Sequence, residues 1–120
     1  MALKEHENIG KGQLGEQIAG QFLIENHYTI LERNYRFSHS EIDLICVKDC
    51  ILIFVEVKLR YSNEYGFPEE SVNKKKQSSI KIAAENYIFT KDWIKDIRFD
   101  VISVELKGSQ KNITHFIDAF

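Results

Sequence analysis

Proline and cysteine are scarce in this 120-residue chain, which has one Pro and two Cys. Two cysteines cannot build a disulfide framework, and Cys46 and Cys50 lack the C-x-x-C spacing of many zinc sites. His39 does not complete a tetrahedral set of Cys and His ligands, so ordinary unreactive thiols are the better interpretation. Repeats and low-complexity tracts are also missing. We therefore expect one domain over residues 1–120, with residues 1–10 as a flexible N-terminal segment.

Long apolar runs are absent from the sequence as well. The longest uninterrupted run, residues 51–55, is far shorter than the roughly 20 residues that a membrane-spanning helix requires. The first ten residues contain no apolar segment of the kind found in secretion signals. We expect a cytoplasmic protein that has no membrane partner.

Charge is unevenly distributed, although the formal net charge is only -2. Residues 58–98 hold nine Lys or Arg against six Asp or Glu, a local net charge of +3, which leaves -5 for the rest of the chain. A positive region of this kind can bind nucleic acid, but an ordinary solvated helix face has the same pattern. Charge alone leaves both interpretations open.

Hydrophobic periodicity predicts an α/β domain with a mixed sheet and the order α-β-β-β-α-β-β. The second predicted helix has a buried stripe formed by Val72, Ile80, Ala83, Ala84 and Tyr87. The predicted helices cover residues 12–26 and 70–89, the predicted loop covers 61–70, and the predicted strands cover 28–37, 40–47, 50–60, 97–106 and 112–120.

The segment GKGQLG at residues 10–15 satisfies the dinucleotide-binding pattern G-x-G-x-x-G. That pattern requires a buried strand before it, and here nine mostly polar residues precede it. We interpret these glycines as a flexible start of the first helix.

The predicted hairpin at residues 41–58 carries charges among its apolar residues. With a two- or four-residue loop around Asp49 and Cys50, paired residue numbers sum to 99, which places Asp43 opposite Glu56 on the same face. Lys58 shares that face because it lies two residues after Glu56. A three-residue loop would put the two acids on opposite faces. The expected cluster therefore depends on the loop length.

Two facing carboxylates repel each other unless a positive charge lies between them. Mg²⁺ accepts one or two protein carboxylates together with water and phosphate oxygens, so this cluster suits phosphodiester chemistry. A structural ion pair of Lys58 with Glu56 or Glu41 explains the same residues equally well. The spacing does not decide between these alternatives.

Five blocks of the sequence resemble a known family. GQLGEQIAGQFL, ILERNYR, EIDLI, IFVEVKLR and RFDVISV, between residues 10 and 105, are together similar to the bacterial YraN-like family. Asp43 followed by Glu56-x-Lys58 resembles the metal-binding signature of the PD-(D/E)xK nuclease superfamily, and the YraN-like family is itself akin to archaeal Holliday-junction resolvases. Ile42 replaces the proline that names the superfamily, and Ser40 stands where the closer family usually has Gly.

The resemblance implies a restriction-endonuclease-like three-layer core and cleavage of DNA that depends on Mg²⁺ or Mn²⁺. It further implies branched or junction DNA as substrate and a homodimer, since two cuts across a junction need two sites. Glu16, Asp43 and Glu56 would be the metal ligands, and Lys58 would assist the attack. A non-catalytic nucleic-acid-binding or assembly module with the same fold is the alternative. The expected nucleic-acid contacts are Arg60, Lys74, Lys75, Lys76 and Lys81.

Several of these residues have a plainer interpretation. Glu16 could be a surface acid near a helix N-terminus, and Lys76, on the apolar stripe of the second helix, could extend its ammonium group to solvent instead of contacting phosphate. Asp100 is expected to be structural, paired with Arg98 or a loop. Trp93 is expected to pack and not to stack on bases.

Overall fold

The computed structural model describes residues 10–62 and 72–120. The order of elements is α-β-β-β-α-β-β, as predicted from the sequence. The predicted flexible segment at residues 1–10 lies, except for Gly10, outside the described residues, as does most of the predicted loop at 61–70. The elements are α1 (Lys11–Glu25), β1 (Thr29–Phe37), β2 (Ser40–Lys48), β3 (Ile51–Tyr61), α2 (Lys74–Lys91), β4 (Ile97–Lys107) and β5 (Gln110–Phe116).

The five strands form one mixed sheet in the order of the chain. β3 and β4 are parallel, whereas the other three neighbouring pairs are antiparallel. Parallel neighbours cannot be joined by a hairpin, so the chain crosses between them through α2. None of the helices in the described ranges is long and apolar enough to cross a membrane.

The two helices cover opposite faces of the sheet, which gives the three-layer core. Ala19 and Leu23 of α1 belong to one buried cluster with Ile53 of β3, while Ile80 of α2 belongs to the other with Phe54. Alternate residues of β3 therefore enter different cores. Because both faces of this strand are buried, its sequence is an almost continuous apolar run, as in central strands generally.

The second helix begins later than predicted. α2 starts at Lys74 and not near residue 70, because the Asn73 side chain accepts a hydrogen bond from the Lys76 N–H at 2.9 Å and caps the helix. All five residues of the predicted stripe are buried. The first helix begins at Lys11, one residue earlier than predicted, with Gly10 as its N-cap and Gly12 and Gly15 in its first turns.

The last strand was predicted to run to the C-terminus, but it ends at Phe116. Beyond it the chain turns so that a backbone N–H can donate a hydrogen bond to the buried carboxylate of Asp100. The Asp118 N–H donates to Asp100 Oδ1 at 3.0 Å. The Arg98 Nε also donates to Oδ1, at 2.8 Å, and His115 Nε2 lies 2.7 Å from Oδ2. The predicted structural pairing of Asp100 with Arg98 is confirmed.

Trp93 and Cys46 take the structural roles that were predicted for them. Trp93 packs against the α2-side core, and its indole N–H donates to the Asp96 carbonyl at 2.9 Å. Cys46 is buried and Cys50 is exposed. Burial raises the pKa of the Cys46 thiol to about 12, which leaves it unreactive at neutral pH.

Candidate functional site

The β2–β3 turn has the length on which the expected cluster depends. Pairing runs from Lys48 with Ile51 to Leu44 with Val55, so paired residue numbers sum to 99. The two turn residues, at positions 49 and 50, have φ values of 52° and 64°. Positive φ at both positions is typical of the two-residue type I′ hairpin turn.

Main-chain pairing of β2 with β3 stops just where the acidic residues begin. One residue beyond the last pair, a side-chain contact replaces the main-chain pairing. Asp43 Oδ2 accepts a hydrogen bond from the Val57 N–H at 2.8 Å. The carboxylate therefore occupies the gap where the two strands separate. This contact fixes Asp43 at the opening between two interior strands of the sheet.

Glu56 lies beside that opening and is almost fully buried, with 4% of its surface exposed. Its Oε2 lies 3.5 Å from both Lys58 Nζ and Lys76 Nζ. Its Oε1 is buried and has no hydrogen-bond partner among the described residues. Burial, together with repulsion from Asp43, raises the pKa of Glu56 to about 7. One of its two oxygens is thus available for a cation or a proton.

Glu16 approaches the same opening from α1. The preceding Gly15 allows the helix to lie close to β3, since a Cβ at this position would be 3.0 Å from the Leu59 Cβ. Burial and the negative charge of Asp43 raise the pKa of Glu16 to about 7, while a hydrogen bond with Asn34 lowers it. Beyond the effect of burial, the negative charge of Asp43 on β2 therefore raises the pKa of both Glu16 on α1 and Glu56 on β3.

Asn34 is a site residue that the sequence analysis missed. Arg33 pairs with Leu44 and Tyr35 pairs with Ile42, which places Asn34 level with Asp43 on the neighbouring strand. Its φ of 53° lies in the left-handed region, which Asn adopts more readily than most residues. Register arithmetic across the two-residue turn between β1 and β2, applied as for the hairpin, would have found it.

The expected basic residues lie in several different environments. Lys58 and Lys76 contact Glu56, whereas Lys81 lies over the rings of Phe99 and Phe120, with its Nζ 5.6 and 6.0 Å from the ring centroids. Two further lysines, at positions 74 and 75, are exposed in the first turn of α2, and the residue at position 60 on β3 is half-buried.

The structural ion pair considered for Lys58 is present with Glu56. Glu41, the other acid considered as its partner, instead forms an ion pair with Arg36, with Nε and Oε2 3.0 Å apart. Glu56 is therefore balanced from two sides, by Lys58 and by Lys76 of the helix, through a single oxygen.

The donors in this opening match a hard divalent cation in chemical type. They are carboxylate oxygens, which Mg²⁺ and Mn²⁺ prefer, and one of them, Glu56 Oε1, is buried without a donor. Within residues 10–62 and 72–120, no three Asp, Glu, His or Cys side chains are grouped tightly enough to form a ready-made metal cage. A cation would therefore have to draw Glu16, Asp43 and Glu56 closer together by side-chain rotation.

Fold and site together define a mixed α/β domain with carboxylates and lysines gathered where two central strands separate. The chain belongs to the family described as Uncharacterised protein family UPF0102, whose model matches residues 15–104. It is 49% identical over 98 residues to a UPF0102 protein of Cytophaga hutchinsonii, covering 82% of this chain and 87% of that protein. It is 46% identical to one of Clostridium beijerinckii, covering 91% of each chain. The protein FP2501 of Flavobacterium psychrophilum is 39% identical over 98% of each chain.

Proposed function

We propose that this protein is a metal-dependent endonuclease that hydrolyses DNA phosphodiester bonds with Mg²⁺ or Mn²⁺. The observation that carries the proposal is the state of Glu56. This carboxylate is buried beside Asp43, and in residues 10–62 and 72–120 no donor reaches one of its oxygens. Burying a carboxylate with an unsatisfied oxygen is unfavourable for folding, and a bound cation would remove that cost.

Each side chain has a role that follows from its position. Glu16, Asp43 and Glu56 would hold the cation, and Asp43 is kept in place by the Val57 N–H. The cation, when bound, supplies Lewis-acid activation of the phosphate and of water. Lys58, whose side chain is 28% exposed, keeps its ammonium group beside Glu56, where it can stabilise negative charge that develops on a phosphate.

The start of α2 supports a polyanionic substrate. Positive side chains in the first turn of a helix oppose the macrodipole, at a cost of about 0.3–1 kcal/mol each. In the described part of the chain, no carboxylate forms an ion pair with Lys74 or Lys75, while Lys76 reaches Glu56. Phosphate groups of DNA would offset this cost, and they would do so next to the carboxylates.

More specifically, the proposed substrate is branched or junction DNA, and the proposed enzyme is a homodimer. Two symmetric incisions across a junction need two sites, which a twofold dimer provides. Cleavage assays should compare duplex, single-stranded and four-way junction DNA of matched sequence. Preferential cleavage of the junction, by a species that sediments as a dimer, is the expected result.

A non-catalytic nucleic-acid-binding module is the second candidate. The observation that favours it is that, among the described residues, the carboxylates are not grouped as a finished metal cage. Metal binding with no cleavage of any of the three DNA substrates would support this candidate over the endonuclease.

Calorimetric titration with Mn²⁺ and Mg²⁺ tests the proposed ligands directly. Asp43→Asn should weaken metal binding at least about tenfold, since even residues that only support metal ligands typically cost that much. Glu41→Gln is the matched control, because it removes a carboxylate from the same strand that already pairs with Arg36. Equal metal affinity in the wild type and Asp43→Asn would remove the ligand assignment.

A further inference from the structure

Arg33 lies beside the candidate site but on the face of the sheet that α1 covers. Its guanidinium group extends across Gly20, where an added Cβ would be 2.7 Å from Arg33 Nη1. The side chain is exposed, and within the described ranges no carboxylate forms an ion pair with it. Its neighbour Arg36 on the same strand is, by contrast, paired with Glu41. Among the described residues Arg33 is thus a cation without an ion-pair partner, next to an acidic site.

A polar cleft of about 220 Å³ joins Arg33 to that site. The cleft is smaller than the roughly 300 Å³ at which pockets for whole organic ligands begin, and the described side chains that line it are all polar or charged. A single charged or polar group of a larger molecule fits it better than a complete small molecule. The lining residues are Gln13, Glu16, Gln17, Arg33 and Asn34.

We propose that Arg33 binds a backbone phosphate of the nucleic acid in this cleft, an inference that rests on the proposed function. The planar guanidinium group can donate two parallel hydrogen bonds to phosphate oxygens. The amides of Gln13 and Gln17, one helical turn apart on α1, can donate to neighbouring phosphate or sugar oxygens. Glu16 and Asn34 line this cleft, and Glu16 also interacts with Asp43, so the proposed phosphate contact adjoins the candidate site.

This contact would hold the substrate from a second direction. The lysines at the start of α2 lie on one side of the sheet, whereas Arg33 and α1 lie on the other. A strand bound by both would be drawn into the opening between β2 and β3, where Asp43 is located. Arg33 is therefore a positioning residue for the phosphate next to the one that reacts.

The test is DNA binding measured by fluorescence anisotropy in the presence of a chelator, with labelled duplex and single-stranded oligonucleotides. Arg33→Gln removes the charge but retains part of the aliphatic stem over Gly20, and Arg36→Gln is the control. Salt should be varied from about 50 to about 200 mM. We expect Arg33→Gln to weaken binding about tenfold and to lower the salt dependence for duplex DNA by about 0.9, the share of one phosphate contact. Arg36→Gln should leave that dependence unchanged.

Arg33→Lys separates charge from geometry. If it retains the salt dependence but loses affinity, the guanidinium geometry contributes as proposed. If it binds as tightly as the wild type, the bidentate contact is refuted. Equal thermal melting of Arg33→Gln and the wild type establishes that the altered binding does not come from unfolding.

The results distinguish this inference from the proposed function. Unchanged binding by Arg33→Gln, combined with weaker binding by Lys74→Gln, would overturn the Arg33 contact and leave the nuclease proposal intact. No DNA binding by the wild type would overturn both. A loss of Mn²⁺ affinity in Arg33→Gln as large as in Asp43→Asn would also refute the contact, because Arg33 would then act through the carboxylates.

Discussion

Two buried carboxylates of neighbouring strands, Glu56 and Asp100, differ in how many donors reach them. Asp100 receives donors from Arg98, the Asp118 N–H and His115. Burial raises the pKa of Asp100, but these hydrogen bonds outweigh it and hold the pKa below its usual value. Glu56 has one oxygen without a donor, and its pKa is raised to about 7. The first carboxylate is built to stay charged, whereas the second is left available for a ligand.

The raised pKa values predict how stability depends on pH without metal. Glu16 and Glu56 hold protons more tightly in the folded state than in the unfolded chain, where each has a pKa of about 4.5. Their protonation favours the folded state below about pH 4.5, and that stability is lost as the pH rises to about 7. The pKa of Asp100 is lowered from its ordinary value of 3.8, so this group titrates below the window.

Urea unfolding in a chelator, measured between those two pH values, checks this dependence. The free energy of unfolding should fall as the pH rises, and Glu56→Gln should show a shallower fall because one of the two groups has been removed. A flat profile in the wild-type protein would contradict the burial of these two carboxylates.

Substitution of Asp100 should lower stability strongly and leave metal binding unchanged. Asp100→Asn leaves Arg98 without its anion, and breaking a buried ion pair typically costs about 3–5 kcal/mol. Asp96→Asn, at an exposed position, should change the free energy of unfolding by less than about 0.5 kcal/mol. Urea titration measures both variants. A loss below about 1 kcal/mol for Asp100→Asn would show that the network contributes little.

At the scale of elements, register was easier to predict than boundaries. The face shared by Asp43 and Glu56 followed from strand periodicity and a short turn, because a sheet alternates its side chains strictly. The start of α2 depended on a cap by Asn73, and the end of β5 depended on a buried acid far away in the sequence. Periodicity carries no information about either interaction, so these two boundaries were misplaced.

The contact of α1 with β3 predicts opposite effects for two glycines of one helix. Gly15→Ala places a Cβ 3.0 Å from the Leu59 Cβ, an atom fixed to the strand that cannot rotate away. Overpacking should outweigh the gain in helix propensity and destabilise the protein by about 1 kcal/mol. At Gly12 the added Cβ meets nothing within 4 Å, so Gly12→Ala should be neutral or stabilising by up to about 1 kcal/mol.

Urea unfolding and metal titration of both variants test this contact. Gly15→Ala should also weaken metal binding, because it moves α1 and with it Glu16 away from the opening. Equal stabilisation by the two substitutions would show that the helix can shift without cost.

At the scale of the whole molecule, the candidate site draws on α1, β2, β3 and α2. Four of its residues were proposed from the sequence. The strand register and the family resemblance pointed to Asp43, Glu56 and Lys58, and the resemblance added Glu16. Asn34 could be located only by applying the register to a third strand, and no sequence pattern pointed to Arg33, whose guanidinium group has no ion-pair partner in the described part of the chain. Lys76 could be placed on the buried stripe, but its distance of 3.5 Å from Glu56 depends on how α2 packs on the sheet.

A site assembled from four elements should couple metal binding to global stability. A ligand that binds only the folded state adds about 2.7 kcal/mol when its concentration is 100 times its Kd. Thermal melting should therefore shift upward with increasing Mn²⁺ in the wild type and much less in Asp43→Asn. Sodium chloride at matched ionic strength is the control. Equal shifts in both proteins would locate any metal binding elsewhere.

The hydrogen bond from the Val57 N–H to Asp43 means that this acidic side chain also holds two strands of the sheet together. A relative that lacked the proposed chemistry would still need an acceptor at this position to hold the two strands together. Retention of an acid or amide there in other members of the family would therefore not establish that they are active. Among the described residues no donor reaches Glu56 Oε1, so retention or loss of Glu56 across the family would be the better indicator of the proposed metal chemistry.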